Sequence, residues 1–203
     1  MARVHTAIAA KDYPVQGIKK GEKYWYWTPY RAGKRMSRTQ PTASQTESNE
    51  TRASYLAIQE GLQADIDSAG SVEDVKGVLE SAADELDGIA EELREKASNI
   101  EEGFQHETEQ SSQFNEQADE VESWASELRD ALDDSAEEPG EEPTAPDRAA
   151  FDEGPDGDAE FEKAAADYAD DKQEHDEAVQ AWEDALDDAK SAASDLLSSA
   201  PDV

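Results

Sequence analysis

Three histidines, His5, His106 and His175, are the residues best suited to acid–base or metal chemistry in a chain that has no cysteine. They lie far apart in the sequence. The segment that begins at His106, His-Glu-Thr-Glu-Gln, lacks the second histidine of a zinc-protease helix. His175 falls on a heptad seam, where a polar layer that fixes the register is the favoured interpretation. We therefore expect no catalytic residue, no metal site, no cofactor and no enzymatic activity.

Carboxylates are so frequent that pairs at helical spacing carry little information about catalysis. The chain has 51 Asp and Glu against 18 Lys and Arg, a net charge of -33. The run from Asp152 to Asp158 resembles a calcium loop, but its third position is Gly154 and its twelfth is Lys163. Two required ligands are thus missing. We expect cations to condense diffusely on this surface instead.

The composition also limits the fold and the environment. Only 36% of the chain is hydrophobic, which argues against a large globular core. Charge repulsion on this scale opposes compaction unless salt screens it, so a salt-adapted source is favoured, with an acidic spacer from an ordinary cell as the alternative. No apolar run is long enough for a membrane helix, and Met1 to Tyr13 has no signal-peptide core. We expect no membrane association.

The N-terminal segment has the opposite charge from the remainder. Residues 1–40 contain nine Lys or Arg against two acidic residues, a net of +7, so the remaining 163 residues carry -40. Such asymmetry indicates two different roles, one of them with an acidic partner. That partner is DNA, RNA, an acidic protein or the chain's own helices.

The basic segment has the composition of a β-hairpin. Lys23 to Thr28 is rich in aromatic residues that favour a strand, Ala32-Gly33 supplies a turn, and Lys34 to Thr39 forms the second strand. Pro29 should confine the first strand to a sheet edge or a bulge. Alternation places Tyr24, Tyr26 and Tyr30 on one face, and Trp25, Trp27 and Arg31 on the other.

Two interpretations of this hairpin remain open. The cations could neutralise phosphates while aromatic rings stack on bases. Alternatively, the aromatic rings could pack against the helix that follows Ser44, with Lys and Arg paired to the acidic body. The candidate residues for nucleic-acid or partner binding are Lys19, Lys20, Trp25, Trp27, Tyr30, Arg31, Lys34 and Arg35.

Helical signals begin after the basic module of residues 1–43. Ser44 to Glu47 is a capping box that opens a helix over residues 44–68. From Val72 to Ile100 apolar residues alternate at spacings of three and four, a heptad seam that predicts a helix over 71–102. The seam fades between Gly103 and Gln113 and resumes over 113–132. An antiparallel hairpin is favoured there over one long helix, because three successive polar layers bury little.

Residues 133–158 have the proline, glycine and acidic composition of a linker. A second seam then runs from Phe161 to Leu196 and predicts a C-terminal coiled-coil helix over 159–199. The pattern leaves open whether this helix joins a bundle or pairs with a second copy to form a homo-oligomer.

The N-terminal segment resembles a family of small, mostly uncharacterised tailed-phage proteins. The resemblance rests on Lys11-Asp12-Tyr13-Pro14, Gly17 to Gly21, Tyr24 to Trp27, Arg31, Gly33-Lys34, Ser37, Pro41 and Ser44-Gln45, and it covers residues 1–60. It implies a virus-encoded or provirus-encoded protein, in a haloarchaeal host if the cell is salt-adapted. It implies no particular activity.

An aromatic strand followed by Arg31 to Arg35 is also similar to the small N-terminal DNA-binding sheets of phage integrases. The sequence departs from them in two respects, since a third strand is not evident and no recombinase domain follows.

Together these patterns predict a mainly α protein: an acidic helical hairpin or coiled coil with a short N-terminal β-hairpin. The expected function is that of a non-enzymatic viral accessory or assembly protein, in the host cytoplasm or the virion, whose N-terminal module docks nucleic acid or an acidic virion or host protein. The alternative is a structural scaffolding, tail or virion component that binds no nucleic acid.

Overall fold

A computed structural model describes residues 1–29, 33–132, 138–150 and 155–201, with the side chains of 155–157 excepted. The described chain is mainly helical, with a small antiparallel sheet at its N-terminal end, as predicted. Its strands are β1 (His5–Ile8), β2 (Lys23–Trp27) and β3 (Arg35–Ser37). Its helices are α1 (Ala43–Thr46), α2 (Glu50–Ser68), α3 (Val72–Phe104), α4 (Glu109–Asp130) and α5 (Pro155–Ser198).

The sheet has three strands rather than the two of the predicted hairpin. Its order is β1-β2-β3, and β1 pairs antiparallel with β2 through His5 opposite Tyr26 and Ile8 opposite Lys23. The aromatic strand is therefore central, not at an edge. The expectation drawn from Pro29 was wrong because β2 ends at Trp27, before the proline could remove a ladder hydrogen bond.

The predicted heptad seam forms the main core, between α3 and α4. Val75, Leu79, Leu86 and Leu93 are at most 3% exposed, and Val121 and Leu128 oppose them from α4. The helices run antiparallel because α3 ends at Phe104 and Gln105 adopts a left-handed conformation with φ 58°. This tight reversal confirms the helical hairpin favoured by the polar interruption.

Two arginines join the acidic flanks of this hairpin. Arg94 of α3 lies between Asp119 and Glu122 of α4, with its Nη2 2.9 Å from Asp119 Oδ1. Arg129 of α4 lies between Asp84 and Asp87 of α3, at 2.7 and 2.6 Å. These carboxylates raise the pKa of both guanidiniums. Each arginine thus compensates two carboxylates of the facing helix.

The C-terminal helix joins this bundle only along its last turns. Ala189 and Ala193 are buried in the main core, with Leu186 and Leu196 packed against it. Trp124 Nε1 donates to the Leu196 carbonyl at 3.2 Å. This hydrogen bond fixes the position of α5 along the axis of the α3–α4 hairpin. The helix begins at Pro155, inside the predicted 133–158 linker, and residues 133–137 and 151–154 of that linker lie outside the described residues.

The expected capping box at Ser44 was wrong. Ser44 donates through its amide and its hydroxyl to the carboxylate of Glu60 in α2, at 3.0 and 2.5 Å. The predicted 44–68 helix is accordingly divided into α1 and α2, and Asn49 caps α2 by accepting from the amides of Thr51 and Arg52. Thr42, not Ser44, is the N-cap of α1 and forms a capping box with Gln45, so Ser44 lies inside the helix and its side chain is free to bind Glu60.

Replacing Leu86 tests the seam. Leu86 is fully buried, so Leu86→Ala leaves a cavity and should lower the free energy of unfolding by about 2–5 kcal/mol. Urea unfolding followed by circular dichroism at constant salt measures this loss. The control Glu80→Ala, at an exposed position of the same helix, should change stability by less than about 0.5 kcal/mol. Equal effects of the two substitutions would contradict the core described here.

Candidate nucleic-acid and partner interface

The candidate residues lie on the sheet, whose two faces are set by strand alternation. Lys23, Trp25 and Trp27 share one face of β2, while Tyr24 and Tyr26 share the other. The sheet has a small core of its own on the tyrosine face. Its members are Ala9, Ile18 and Tyr24, with Ala7, Tyr13, Tyr26 and Met36 packed against them. Burial raises the pKa of Tyr24, and the neighbouring Tyr13 and Tyr26 reinforce this rise.

Trp27 is a packing residue. It is 5% exposed, and its indole Nε1 donates to the Gln45 carbonyl at 3.0 Å. The ring is therefore covered at the contact between the sheet and α1, and it is not accessible for stacking on a base. This corrects its place among the candidate binding residues.

Trp25 and Tyr26 remain half-buried, and each carries a lysine over its ring. Lys23 Nζ lies 5.2 Å from the centroid of Trp25, on one face of the sheet. Lys34 Nζ lies 3.8 Å from the centroid of Tyr26 on the other face, where His5 also stacks on the tyrosine at 5.2 Å. Each face thus presents an aromatic ring beside a cation. Proteins that bind single-stranded nucleic acids use this combination.

Lys19 and Lys20 form a second cationic group in the turn that precedes β2. Their backbone amides donate to carboxylates, Lys19 to Glu22 at 2.9 Å and Lys20 to Asp12 at 2.7 Å. These bonds hold the turn, and Gly21 completes it with φ 88°. Both lysine side chains remain exposed. The backbone is fixed here while the ammonium groups stay available.

The predicted cations are not all in one place. Lys34 and the exposed Arg35 lie near the C-terminal end of β2, where Trp27 pairs with Arg35. Lys19 and Lys20 precede its N-terminal end. A five-residue strand separates these groups by about 13 Å. Tyr30 and Arg31, also predicted for this site, lie outside the described residues.

In the described part of the chain, the Lys and Arg side chains of the sheet do not pair with the acidic helices, although the Met1 ammonium lies 3.5 Å from Glu47 at the junction between the two. The ion pair found for its Lys and Arg residues is internal, from Arg38 Nε to Glu22 at 3.8 Å. By contrast, Arg94, Arg129 and Lys172 of the helical body each contact two carboxylates. The Lys and Arg side chains of the sheet are therefore kept apart from the carboxylates of the helical body.

Sequence reasoning missed three contributors to this surface: His5, Lys23 and Tyr26. His5 belongs to β1, and only the pairing register places it opposite Tyr26. Lys23 was recognised as basic, but its position beside Trp25 follows from alternation along β2. That alternation was present in the sequence and could have identified Lys23.

The three histidines occupy separate parts of the molecule. His5 stacks on Tyr26, His106 Nδ1 lies 2.8 Å from the Phe104 carbonyl in the α3–α4 turn, and His175 Nε2 lies 3.0 Å from the Gly140 carbonyl. Within residues 1–29, 33–132, 138–150 and 155–201, no group of three His, Asp or Glu side chains is arranged to hold a metal ion. His175 packs on the 138–150 segment, not in a helix–helix layer.

Comparison of the chain with protein-family models, with curated proteins and with solved structures returns no match. Among the helices that the structure describes, none is both long enough and apolar enough to cross a membrane.

Glu47 secures the junction between the sheet and the helices. Its Oε1 accepts from the amides of Ser48 and Asn49, at 2.6 and 3.0 Å, and its side chain is 7% exposed. Arg52 Nε lies 3.7 Å from the other oxygen. The hydrogen bond from Asn49 is the main reason that the pKa of Glu47 is lowered, and burial opposes it. Next to this residue, the Thr46 carbonyl accepts from the Ala2 amide at 2.6 Å.

Glu47 should make stability depend on pH. Because its pKa is lower in the folded state, its contribution is present above the unfolded value of about 4.3 and is lost as the pH falls through the folded pKa. We expect Glu47→Gln to lower the free energy of unfolding by about 1–2 kcal/mol at pH 7, and by less below pH 4. Urea unfolding across this pH range checks the trend. The matched control, Glu120→Gln at an exposed site on α4, should show no such convergence with the unsubstituted protein.

Proposed function

We propose that this chain is a non-enzymatic, virus-encoded accessory or assembly protein whose N-terminal sheet docks the phosphate backbone of a nucleic acid. The single observation that carries the proposal is that, among the described residues, no Lys or Arg side chain of the sheet pairs with a carboxylate of the helical body. A body with a charge near -40 attracts any mobile cation. Lysines and arginines that are nevertheless unpaired are available to an external polyanion.

The arrangement of aromatic rings supports a nucleic acid over other acidic partners. Phosphates bind Lys and Arg without sequence preference, and exposed rings stack on bases. Trp25 and Tyr26 supply one half-buried ring on each face, beside Lys23 and Lys34. The third strand, β1, also removes one of the two differences from the DNA-binding sheets of phage integrases. An acidic virion or host protein would pair its carboxylates with the cations, but it has no bases to stack on the aromatic rings.

The non-enzymatic part of the proposal is supported by the existing contacts of the histidines. Each is held by a different element, with an aromatic ring or a backbone carbonyl as its neighbour. The viral part rests on the resemblance of residues 1–60 to tailed-phage proteins, and it implies action in the host cytoplasm or within the virion.

A charge reversal on the sheet tests nucleic-acid binding. The full chain should bind a fluorescein-labelled single-stranded DNA at 0.1 M KCl, and Lys34→Glu combined with Arg35→Glu should weaken this binding about tenfold or more. The slope of log affinity against log salt should also fall, by about one for each lost phosphate contact. Fluorescence anisotropy at several KCl concentrations measures both quantities.

The control for this test is Lys163→Glu on the exposed surface of α5. It should leave both the affinity and the salt slope nearly unchanged. If neither single- nor double-stranded DNA or RNA binds, the nucleic-acid proposal is wrong and the acidic-protein partner replaces it.

One observation favours the alternative, a structural scaffolding, tail or virion component. The main core contacts α5 only from Ala185 onward, although this helix has 44 residues. Its earlier seam residues Phe161, Tyr168, Val179 and Trp182 are half-buried. The 138–150 segment covers part of this seam through Lys172 to Glu142 at 2.9 Å and His175 to Gly140. Because these seam residues are only half-buried, the seam can accept the heptad face of a helix from a second copy.

Oligomeric state distinguishes this alternative. If the α5 seam pairs copies, sedimentation equilibrium at molar KCl should give a mass that is a multiple of 22.2 kDa, and Val179→Asp should return it to the monomer because a charge would enter the seam. Glu183→Gln, on the exposed side of the same helix, should leave the oligomer intact. A monomer at every concentration would count against the scaffold.

A further inference from the structure

An open groove runs between α2 and α3, distinct from the basic sheet. Its volume is about 1010 Å³, and among the described residues its eighteen lining residues all belong to α2, α3 or the short loop between them. The hairpin partner α4 and the C-terminal helix α5 contribute none of them. The groove is therefore a surface that the described bundle leaves uncovered.

The floor of the groove is apolar. Leu62, Ala82 and Ile89 line it and are at most 7% exposed, since they also belong to the main core. Ile58 and Val78 lie beside them and are half-buried. An apolar floor along two antiparallel helices is the kind of surface that accepts the hydrophobic stripe of a third helix.

Three glycines line this groove, Gly61 of α2 and Gly77 and Gly88 of α3. At Gly77 and Gly88 an added Cβ would meet no atom within 4 Å. Their spacing of eleven residues is about three helical turns, so both lie on one face of α3. Glycine in a helix interior is less stable than alanine. Because no internal neighbour occupies the space beside Gly77 and Gly88, an external helix has room to approach α3 closely at these two positions.

The charge of the groove defines the occupant. Five acidic residues line it, and no Lys or Arg is among its described lining residues; the acidic residues are Asp65, Glu73, Asp74, Glu85 and Glu92. Asp65, Glu73 and Glu85 make no ion pair with a described residue. A helix from a second copy would bring further carboxylates to this rim and would be repelled.

We propose that the α2/α3 groove binds a basic amphipathic helix from a partner protein. Its apolar residues, at helical positions i, i+3, i+4 and i+7, lie on the floor between α2 and α3, and its Lys and Arg face the acidic rim. Gly77 and Gly88 allow its backbone to come close to α3. The groove thus recognises a cationic helix, whereas the sheet recognises an anion.

The probe for this test is a synthetic peptide of about three heptads with Leu at positions a and d and Lys or Arg elsewhere. It is labelled with fluorescein and titrated with the full chain at 0.15 M KCl. We expect saturable binding that Gly88→Leu weakens about tenfold or more, because the new side chain fills the groove. Gly103→Leu is the matched control, since Gly103 lies on the same helix in open space but outside the groove, and it should bind like the unsubstituted chain.

Folding and charge are checked separately. Gly88→Leu should raise the unfolding midpoint, since leucine favours a helix and its Cβ meets no neighbour. If the midpoint falls, Glu73→Lys combined with Glu85→Lys replaces it as the test variant, with the same tenfold loss expected. A peptide with Glu in place of Lys and Arg should not bind.

Three results would overturn the proposal. The first is absence of saturable peptide binding, and the second is equal weakening by Gly88→Leu and Gly103→Leu, which would place the peptide elsewhere on the acidic surface. The third is a dimer of the chain alone that Gly88→Leu converts to a monomer, because the occupant would then be a second copy. None of these results depends on whether the sheet binds nucleic acid.

Discussion

Repulsion between carboxylates is the constraint on which the rest of this structure depends. The helical body carries about -40, of which the +7 of the basic segment offsets only a small part to give the net of -33. Its helices can therefore meet only where apolar contact outweighs that repulsion. The contact is the α3–α4 seam, where alanines such as Ala83, Ala90, Ala118 and Ala125 let the backbones approach closely. Close approach also brings the acidic flanks together. Arg94 and Arg129 occupy those flanks, and α2 and α5 then pack on the hairpin so formed.

The same constraint explains why the basic sheet has a core of its own. If its aromatic residues completed the helical core, its lysines would lie among the carboxylates of α2 and α3 and would be neutralised there. Instead Ile18 and Tyr24 form a separate cluster, and the sheet reaches the helices through Trp27, Ala2 and the Glu47 junction. Few contacts suffice because Glu60, through Ser44, fixes the position of α1 on α2. Although partial desolvation opposes the shift, the hydrogen bonds of Ser44 lower the pKa of Glu60.

The sequence predicts the parts of this fold that repeat. Val72 to Leu93 keeps a heptad pattern long enough to identify α3, and the polar positions around Gly103 predict the reversal that leads to α4. Non-repeating features were missed. β1 is four residues long and its Ile8 side chain is 72% exposed, so only its pairing with β2 identifies it. Trp25 and Trp27 share a strand face and cannot be distinguished by pattern, although α1 covers only the second. From the sequence, Gly77 and Gly88 are only residues that lower the stability of a helix. The structure adds that both lie beside an open groove.

The two proposed surfaces have opposite charge, and this limits how they can act together. An anion bound to the sheet does not compete with a cationic helix in the groove, so one chain can hold both partners. At molar salt the Debye length is only about 3 Å, which weakens charge attraction at both surfaces equally. Apolar contacts then distinguish the two surfaces. The groove offers a partner its apolar floor of Leu62, Ala82 and Ile89, whereas the sheet offers two half-buried aromatic rings. Since hydrophobic burial is strengthened by excluded salts while phosphate contacts are lost, the groove is the surface better suited to a salt-rich cell.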